Sequence, residues 1–563
     1  MGIWGRAGLV PALVALALGA SPAAAKVIDD PDENPIIAEN LEDGTTRWDI
    51  TSPARPAIEG YASESSAAPG QSFHLHVRPG SAGDRYRINV YRLGWYGGKG
   101  GRLVTCIPGC DSDTPEVTQP PPPRPEPVTG TVRAGWSVTD VLHVGRNWVS
   151  GYYLAQLRVT AGPDEGAVGR VPLVVRGPPG DASAILVQVP VNTWQAYNPW
   201  GGKSLYTYNS TREVAATKVS FDRPYSEDVL VGVPWGLELQ AVRFLEREGY
   251  DVSYATNVDV DRSPEILMNH RLAMSIGHDE YWSLRQRDAF DRALDGSTNL
   301  AALGANAAYW QVRYDEAHRT IERITQFRAL DPGRPECRLF GVMYAYNAQR
   351  WAGAQPTPYR LAAAADDPWL LQTGLTRRDD IPGIVGYEWD TLEPGCFPGR
   401  VTRLLHAEPL GQDQRVHPAD AVRGLARSGA RMFASGSLEF SWSLDSYGNH
   451  LPSRRIQVLT ENAVRDLTRP ASPRPVNVTV GHAGVSVRAH RRMDPRVRRI
   501  AIYMHRGGGR FRLDDPGVQL VCRPISGTCR DRLRGGVVRY AAVAIDRWGE
   551  SEPWYSAAVR EGP

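Results

Sequence analysis

The spacing of apolar and polar positions changes character twice along the chain. From about residue 48 to residue 175, short alternating or β-branched runs, SFHLHV, RYRINVYRL, GYYLAQLRV and VPLVVR, are separated by Gly and Pro. Period two is the mark of half-buried strands, so a β-sandwich is expected over 40–178. Inside it, the proline-rich stretch 115–127 predicts an exposed loop in polyproline conformation. Gly177-Pro178-Pro179-Gly180 then marks a boundary, and the pattern becomes one of continuous apolar runs: AILVQVP, LAMSIG, LAALGA, LFGVMYA and RMFASGS. Among them GLELQAVRFLEREGY has helical spacing and is closed by Gly249, while Trp282, Leu284, Phe290 and Leu294 set the face of another helix ahead of Gly296. Strands alternating with helices predict a mostly parallel α/β sheet, covered by helices on both faces, over 181–470. After the linker Ala471-Ser472-Pro473-Arg474-Pro475, the runs NVTV, VSVRA, RRIAIYMH and YAAVAIDRWGE return to short strands over 474–563.

Candidate chemistry collects where the apolar runs of the middle region end. The run 272–276 stops at Gly277 and delivers His278, Asp279, Glu280 and Tyr281. The next ends in Gly304, Ala305 and Asn306. A parallel sheet presents ligands and catalysts at the carboxyl ends of its strands, which makes these tips the expected site. His278 and Glu280 lie two apart: on a turn they converge as ligand, base or ion pair, and on an extended tip they diverge. Near 435 the same design recurs, with Ser435-Gly436-Ser437 followed by Glu439 and Trp442 at an expected helix start. Glu439 is either a first-turn carboxylate favoured by the helix dipole or a catalytic one. After the first apolar run comes NTWQAYNPWGGKSLYTYN, whose Trp194, Tyr197, Trp200, Tyr206 and Tyr208 form either a packed aromatic loop or the lining of a concave site. Its GGKS lacks the Walker spacing and is set aside as a phosphate loop. VSFDRPY then presents Asp222, Arg223 and Tyr225.

With 563 residues, about three domains are expected. A net charge of +2, with no basic stripe interleaved with aromatics, argues against a nucleic-acid partner. Arg6, the apolar stretch 9–18 and Ala23-Ala24-Ala25 predict a secretory signal peptide over 1–25, with cleavage near Ala25 and a secreted or periplasmic product. No later stretch is long enough to cross a membrane. Export makes six cysteines candidates for disulfides. Cys106 with Cys110 and Cys522 with Cys529 would close short loops, leaving Cys337 with Cys396. There is neither a Gly-x-Ser-x-Gly elbow nor a His-Glu-x-x-His helix. What remains is Tyr, Glu, Asn and His, an oxygen-rich set suited to a hard cation such as ferric iron.

In that order, NTWQAYNPWGG, GHDEYWS, GAN and GSLEFSW, with YRLGWYGGKGGRLV before them, make the chain similar to the large (beta) subunit of the N,N-dimethylformamidase family. The resemblance implies a class I glutamine amidotransferase-like fold without its cysteine nucleophile, and a mononuclear iron (Fe3+) held by two tyrosines and a glutamate. Carried onto this sequence, Glu280 is the metal glutamate and Tyr197 one tyrosine. Tyr225 is the second, with Tyr206 or Tyr208 as substitutes. His278 and Asn306 would orient substrate, and Glu439 would move protons during hydrolysis of a small-molecule amide. Asp546-x-x-Gly549-x-Ser551 resembles the last strand of a fibronectin type III module. The export signal and this appended module depart from the family's enzyme and leave the substrate open. The alternative is a non-catalytic surface protein that keeps the fold and binds a glycan or cell-wall component. A homo-oligomer and a separate small subunit are both compatible with the sequence.

Overall fold

A computed structural model describes residues 34–563 except 50–56, 233, 349–356, 365, 474, 482–483, 490–495, 526, 533–534 and 562–563. The expected signal peptide falls outside the described residues. Around the middle of the chain runs a nine-stranded sheet in the order Val252–Thr256, Ile185–Val189, Leu272–Gly277, Asn299–Gly304, Arg431–Ala434, Ala419–Ala426, Gly399–Ala407, Thr357–Leu361, Asp380–Val385. The first five strands are parallel. From Arg431–Ala434 onward every pairing is antiparallel, so the expected mostly parallel sheet is corrected to a mixed one.

Alternation along the parallel strands explains why they read as unbroken apolar runs. Ile185, Val187, Met274 and Leu303 face one core, with the helices Leu239–Arg247 and Arg454–Leu467. Leu186, Ala273, Leu300 and Ala302 face the other, with the helix Leu284–Asp295. That last helix is started by a reciprocal cap between Ser283 and Gln286. Gly296 follows its end as expected, but of the face expected from sequence only Phe290 and Leu294 are buried helical positions: Trp282 lies in the strand Tyr281–Ser283 and Leu284 is exposed.

LFGVMYA does not extend the sheet. Its first part lies in the short helix Cys337–Phe340, which Gly341 ends in a left-handed conformation (φ 69°). Val342–Asn347 then pairs with Glu388–Leu392 in a separate antiparallel ribbon. The disulfide Cys337–Cys396 ties the two ends of this excursion, and Cys106–Cys110 and Cys522–Cys529 are bonded as expected.

The N-terminal region packs a three-stranded sheet and a four-stranded sheet around Phe73, Leu75, Ile88, Val90 and Leu157. The C-terminal region packs a three-stranded and a five-stranded sheet around Val487, Ile502 and Tyr540. Neither end region is loosely tethered. Arg92, from YRLGWYGG, reaches Glu246 at the end of the helix Leu239–Arg247 with both guanidinium nitrogens, at 2.9 and 2.8 Å, and neither side chain is exposed. Arg271 meets Asp546 of the C-terminal region at 3.1 Å, also buried. No helix among the described residues is long and apolar enough to cross a membrane.

Candidate functional site

The strands Leu272–Gly277 and Asn299–Gly304 run side by side to their tips, where Gly277 faces Gly304. A Cβ on Gly304 would lie 1.9 Å from the Gly277 carbonyl oxygen, so only glycine lets the tips close together. Gly277, at φ 60°, then turns the chain out of the sheet. Asp279 anchors the turn from inside: its carboxylate accepts from Gln188 Nε2 (2.6 Å), Asn257 Nδ2 (3.0 Å) and Ser275 Oγ (3.0 Å). With Asp279 held inward, its neighbours His278 and Glu280 converge on one place.

Glu280 Oε2 is the meeting point. It accepts from the phenols of Tyr197 and Tyr206, each at 2.9 Å, and lies 3.4 Å from His278 Nε2. Tyr281 donates to the Tyr206 hydroxyl oxygen at 2.7 Å. The helix Val191–Tyr197 that carries Tyr197 is docked on the same turn, since Thr193 Oγ1 accepts from the Glu280 N–H (3.0 Å) and Asn192 Nδ2 donates to the Tyr281 carbonyl (3.0 Å). On the other side, Glu388 Oε2 lies 3.3 Å from His278 Nε2 and accepts from Asn306 Nδ2 at 2.9 Å. Asn306 holds a left-handed backbone (φ 54°) at the second tip, and its N–H donates to Asp390 (2.8 Å). Its side-chain oxygen Oδ1 is buried with no hydrogen-bond partner among the described residues.

Burial and like charge set the electrostatics. Burial raises the Glu280 carboxyl to about 7, against the His278 charge and with Glu388 adding to the rise. Burial opposes a charged His278, but Glu388 and Glu280 outweigh it and push its pKa up to about 9. The phenols of Tyr197 and Tyr206 are held well above their ordinary value by burial and by Glu280. Without a cation these phenols therefore keep their protons and donate them to the carboxylate. A bound cation would invert that order, since its charge favours phenolate. Two phenol oxygens and one carboxylate oxygen already converge, and Asn306 Oδ1 is an unused acceptor nearby in the same network, so the donor set fits a hard cation. Sets of three or more His, Cys, Asp or Glu side chains placed to hold a metal are absent among the described residues.

Of the residues expected from sequence, the structure brings Tyr197, Glu280, His278 and Asn306 together. Tyr206, one of the substitutes, joins them, and Tyr208 lies tilted against Tyr206, ring centroids 5.6 Å apart, with most of its surface exposed. Tyr225 does not join them. Its ring packs edge-on against Trp194 (6.2 Å), and its neighbour Arg223 explains why. The buried Arg223 guanidinium donates to the carbonyls of Gln195, Asn198, Trp200 and Lys203, which pins the DRPY turn to the far end of the aromatic loop. Glu439 lies buried on the 3-10 turn Leu438–Ser443, in place of the expected helix start, and its N–H donates to Gly386 (3.2 Å), two residues before Glu388. Glu388 itself escaped the sequence reading. Its one signal is a lone carboxylate between Tyr387 and Trp389.

A sequence profile described as N,N-dimethylformamidase beta subunit-like, C-terminal, matches residues 87–453. No curated protein matches the chain. Among solved structures, a putative ThuA-like protein from Parabacteroides merdae is similar at 10% identity and a TM-score of 0.25, covering 50% of this chain and 88% of that one. A structure of titin kinase and its flanking domains is similar at 14% identity and 0.14, covering 16% of this chain and only 17% of that one. A two-domain fibronectin type III segment from chicken tenascin gives 10% and 0.14, covering 39% and 98%. TM-scores this low carry no fold assignment.

Proposed function

Because this chain belongs to the N,N-dimethylformamidase beta subunit-like family, we propose that it hydrolyses an amide-type C–N bond with a metal ion held by Tyr197, Tyr206 and Glu280. The observation that carries this is the convergence of two phenols on one carboxylate oxygen at 2.9 Å each. Iron (Fe3+) is the cation this donor set favours. When bound, such a cation supplies Lewis-acid polarisation of a carbonyl and a water of lowered pKa.

The remaining work falls to the chain itself. Asn306 is fixed by Glu388 and Asp390, and it offers its unused amide oxygen for orienting a substrate N–H. His278, held in its charged form between two carboxylates, can steady negative charge that develops on the carbonyl oxygen. Glu388 touches His278 directly and is our first choice for moving the proton to the leaving amine, with Glu439 the second. The parallel half of the sheet, with helices on both faces, supports the glutamine amidotransferase-like interpretation, and all six cysteines are in disulfides, so no thiol nucleophile is available. Those disulfides also support an exported protein.

The test is metal content and the visible spectrum of the purified protein, followed by a screen of linear amides. Near-stoichiometric iron with a coloured tyrosinate band that is lost in Tyr197→Phe and Tyr206→Phe is the expected result. A folded, colourless protein that takes up no metal when offered iron would rule the site out.

A further inference from the structure

A cavity of about 490 Å³ lies far along the sheet from this site, between its antiparallel half, the helix Arg454–Leu467 and the C-terminal region. Four arginines line it: Arg423, Arg431, Arg465 and Arg469. Three of them are answered. Arg423 is paired with Asp367 at 2.7 Å, Arg431 with Asp466 at 2.6 Å, and Arg469 with Glu552 of the C-terminal region at 2.7 Å. Arg465 has no carboxylate within ion-pair reach among the described residues, and the wall is left with one guanidinium in excess. Arg431 keeps a buried Nε–H without an acceptor. Burial depresses the pKa of Arg469, with Glu552 opposing and the Arg465 charge adding to the fall.

The last turn of a helix welcomes a cation, which explains one arginine there. It does not explain four around a cavity. Asp466 and Glu552 show which chemistry the wall accepts, since each neutralises one guanidinium with a carboxylate. Trp369, Leu371 and Pro470 supply the apolar part of the lining, and the volume matches a small ligand.

We propose that this cavity is a second binding site, for a small oxyanion carried on a body about the size of a monosaccharide, with Arg465 as its principal contact. Guanidinium groups pair with carboxylate and phosphate alike, so a sugar acid and a sugar phosphate share the required chemistry.

Calorimetric titration of the full chain distinguishes the sources. The probes are glucuronate, glucose 6-phosphate and inorganic phosphate, with glucose as the neutral control. One or more of the anions should bind saturably with one site per chain, weaken as salt is raised, and bind at least about tenfold more weakly to Arg465→Gln. Whichever of glucuronate and glucose 6-phosphate binds better identifies the class. Arg465 is exposed and unpaired, so the variant should melt with the wild type, and a melting curve checks this. Binding of glucose as tight as the better of the two sugar anions, inorganic phosphate binding as tightly as either of them, unchanged binding in Arg465→Gln, or no saturable binding of any anion would each overturn the proposal. Amide hydrolysis does not enter the readout, so this site stands or falls separately from the metal site.

Discussion

Glu280 carries a division of labour between two nearly equivalent phenols and one that only looks equivalent in sequence. Tyr197→Phe and Tyr206→Phe each remove an oxygen from its Oε2, and each should cut amide turnover by about a hundredfold or more. Tyr225→Phe, which changes a ring packed on Trp194, should leave the rate within about twofold; kinetics on the three variants side by side would check both statements. Glu388→Gln should lower kcat more than Glu439→Gln if the His278 partner is the proton carrier. A third prediction concerns pH. Glu238 lies below the tips, accepting from Tyr152 (2.6 Å) and Trp194 (2.7 Å), and burial raises its carboxyl to about 8. The folded state then binds its proton more tightly than the unfolded chain does, so this contribution to stability is complete below about pH 4.5 and is lost as pH rises through about 8. Glu238→Gln should remove that slope and gain on the order of a few kcal/mol over wild type at pH 9, read from urea unfolding at several pH values. His278, Glu280 and Asn306 were legible in sequence because a parallel strand ends in a glycine and hands its next residues to the sheet edge. Glu388 was not, because it enters from an antiparallel ribbon whose pairing no local pattern announces.

At the scale of elements, the parallel strands were the readable ones. Buried on both faces, Ile185–Val189 and Leu272–Gly277 are apolar except at Gln188 and Ser275, both of which donate to Asp279. The antiparallel half gave no such signal: Gly399–Ala407, GRVTRLLHA, is buried over its end and largely open over its start. LFGVMYA shows the reverse failure, since one apolar run served a helix turn and a strand, with Gly341 between them. Cysteines 337 and 396 hold this unpredicted ribbon closed across 59 residues. Replacing both with Ser should lower stability by about 4 kcal/mol, seen as a lower melting temperature than wild type when both are measured without reducing agent, and Glu388 should lose its fixed distance to His278.

The whole molecule is joined by buried ion pairs rather than by linkers alone. Removing one partner strands the other in the interior, so Arg92→Ala or Glu246→Ala should each cost about 3–5 kcal/mol, and the double variant should cost less than the sum, as a denaturation cycle would show. The pattern changes at Gly177, yet nothing local to RLGWYGG reveals that its arginine is answered 154 residues later. The family match, which opens at residue 87 inside the strand Arg85–Leu93, takes in that arginine and leaves out the strands before it. The pair therefore has a consequence for ancestry. Any recombination event that gave this middle region a foreign sandwich would inherit a bare glutamate with no guanidinium to meet it. Such a chimera should be less stable by the cost of a buried carboxylate left without its cation.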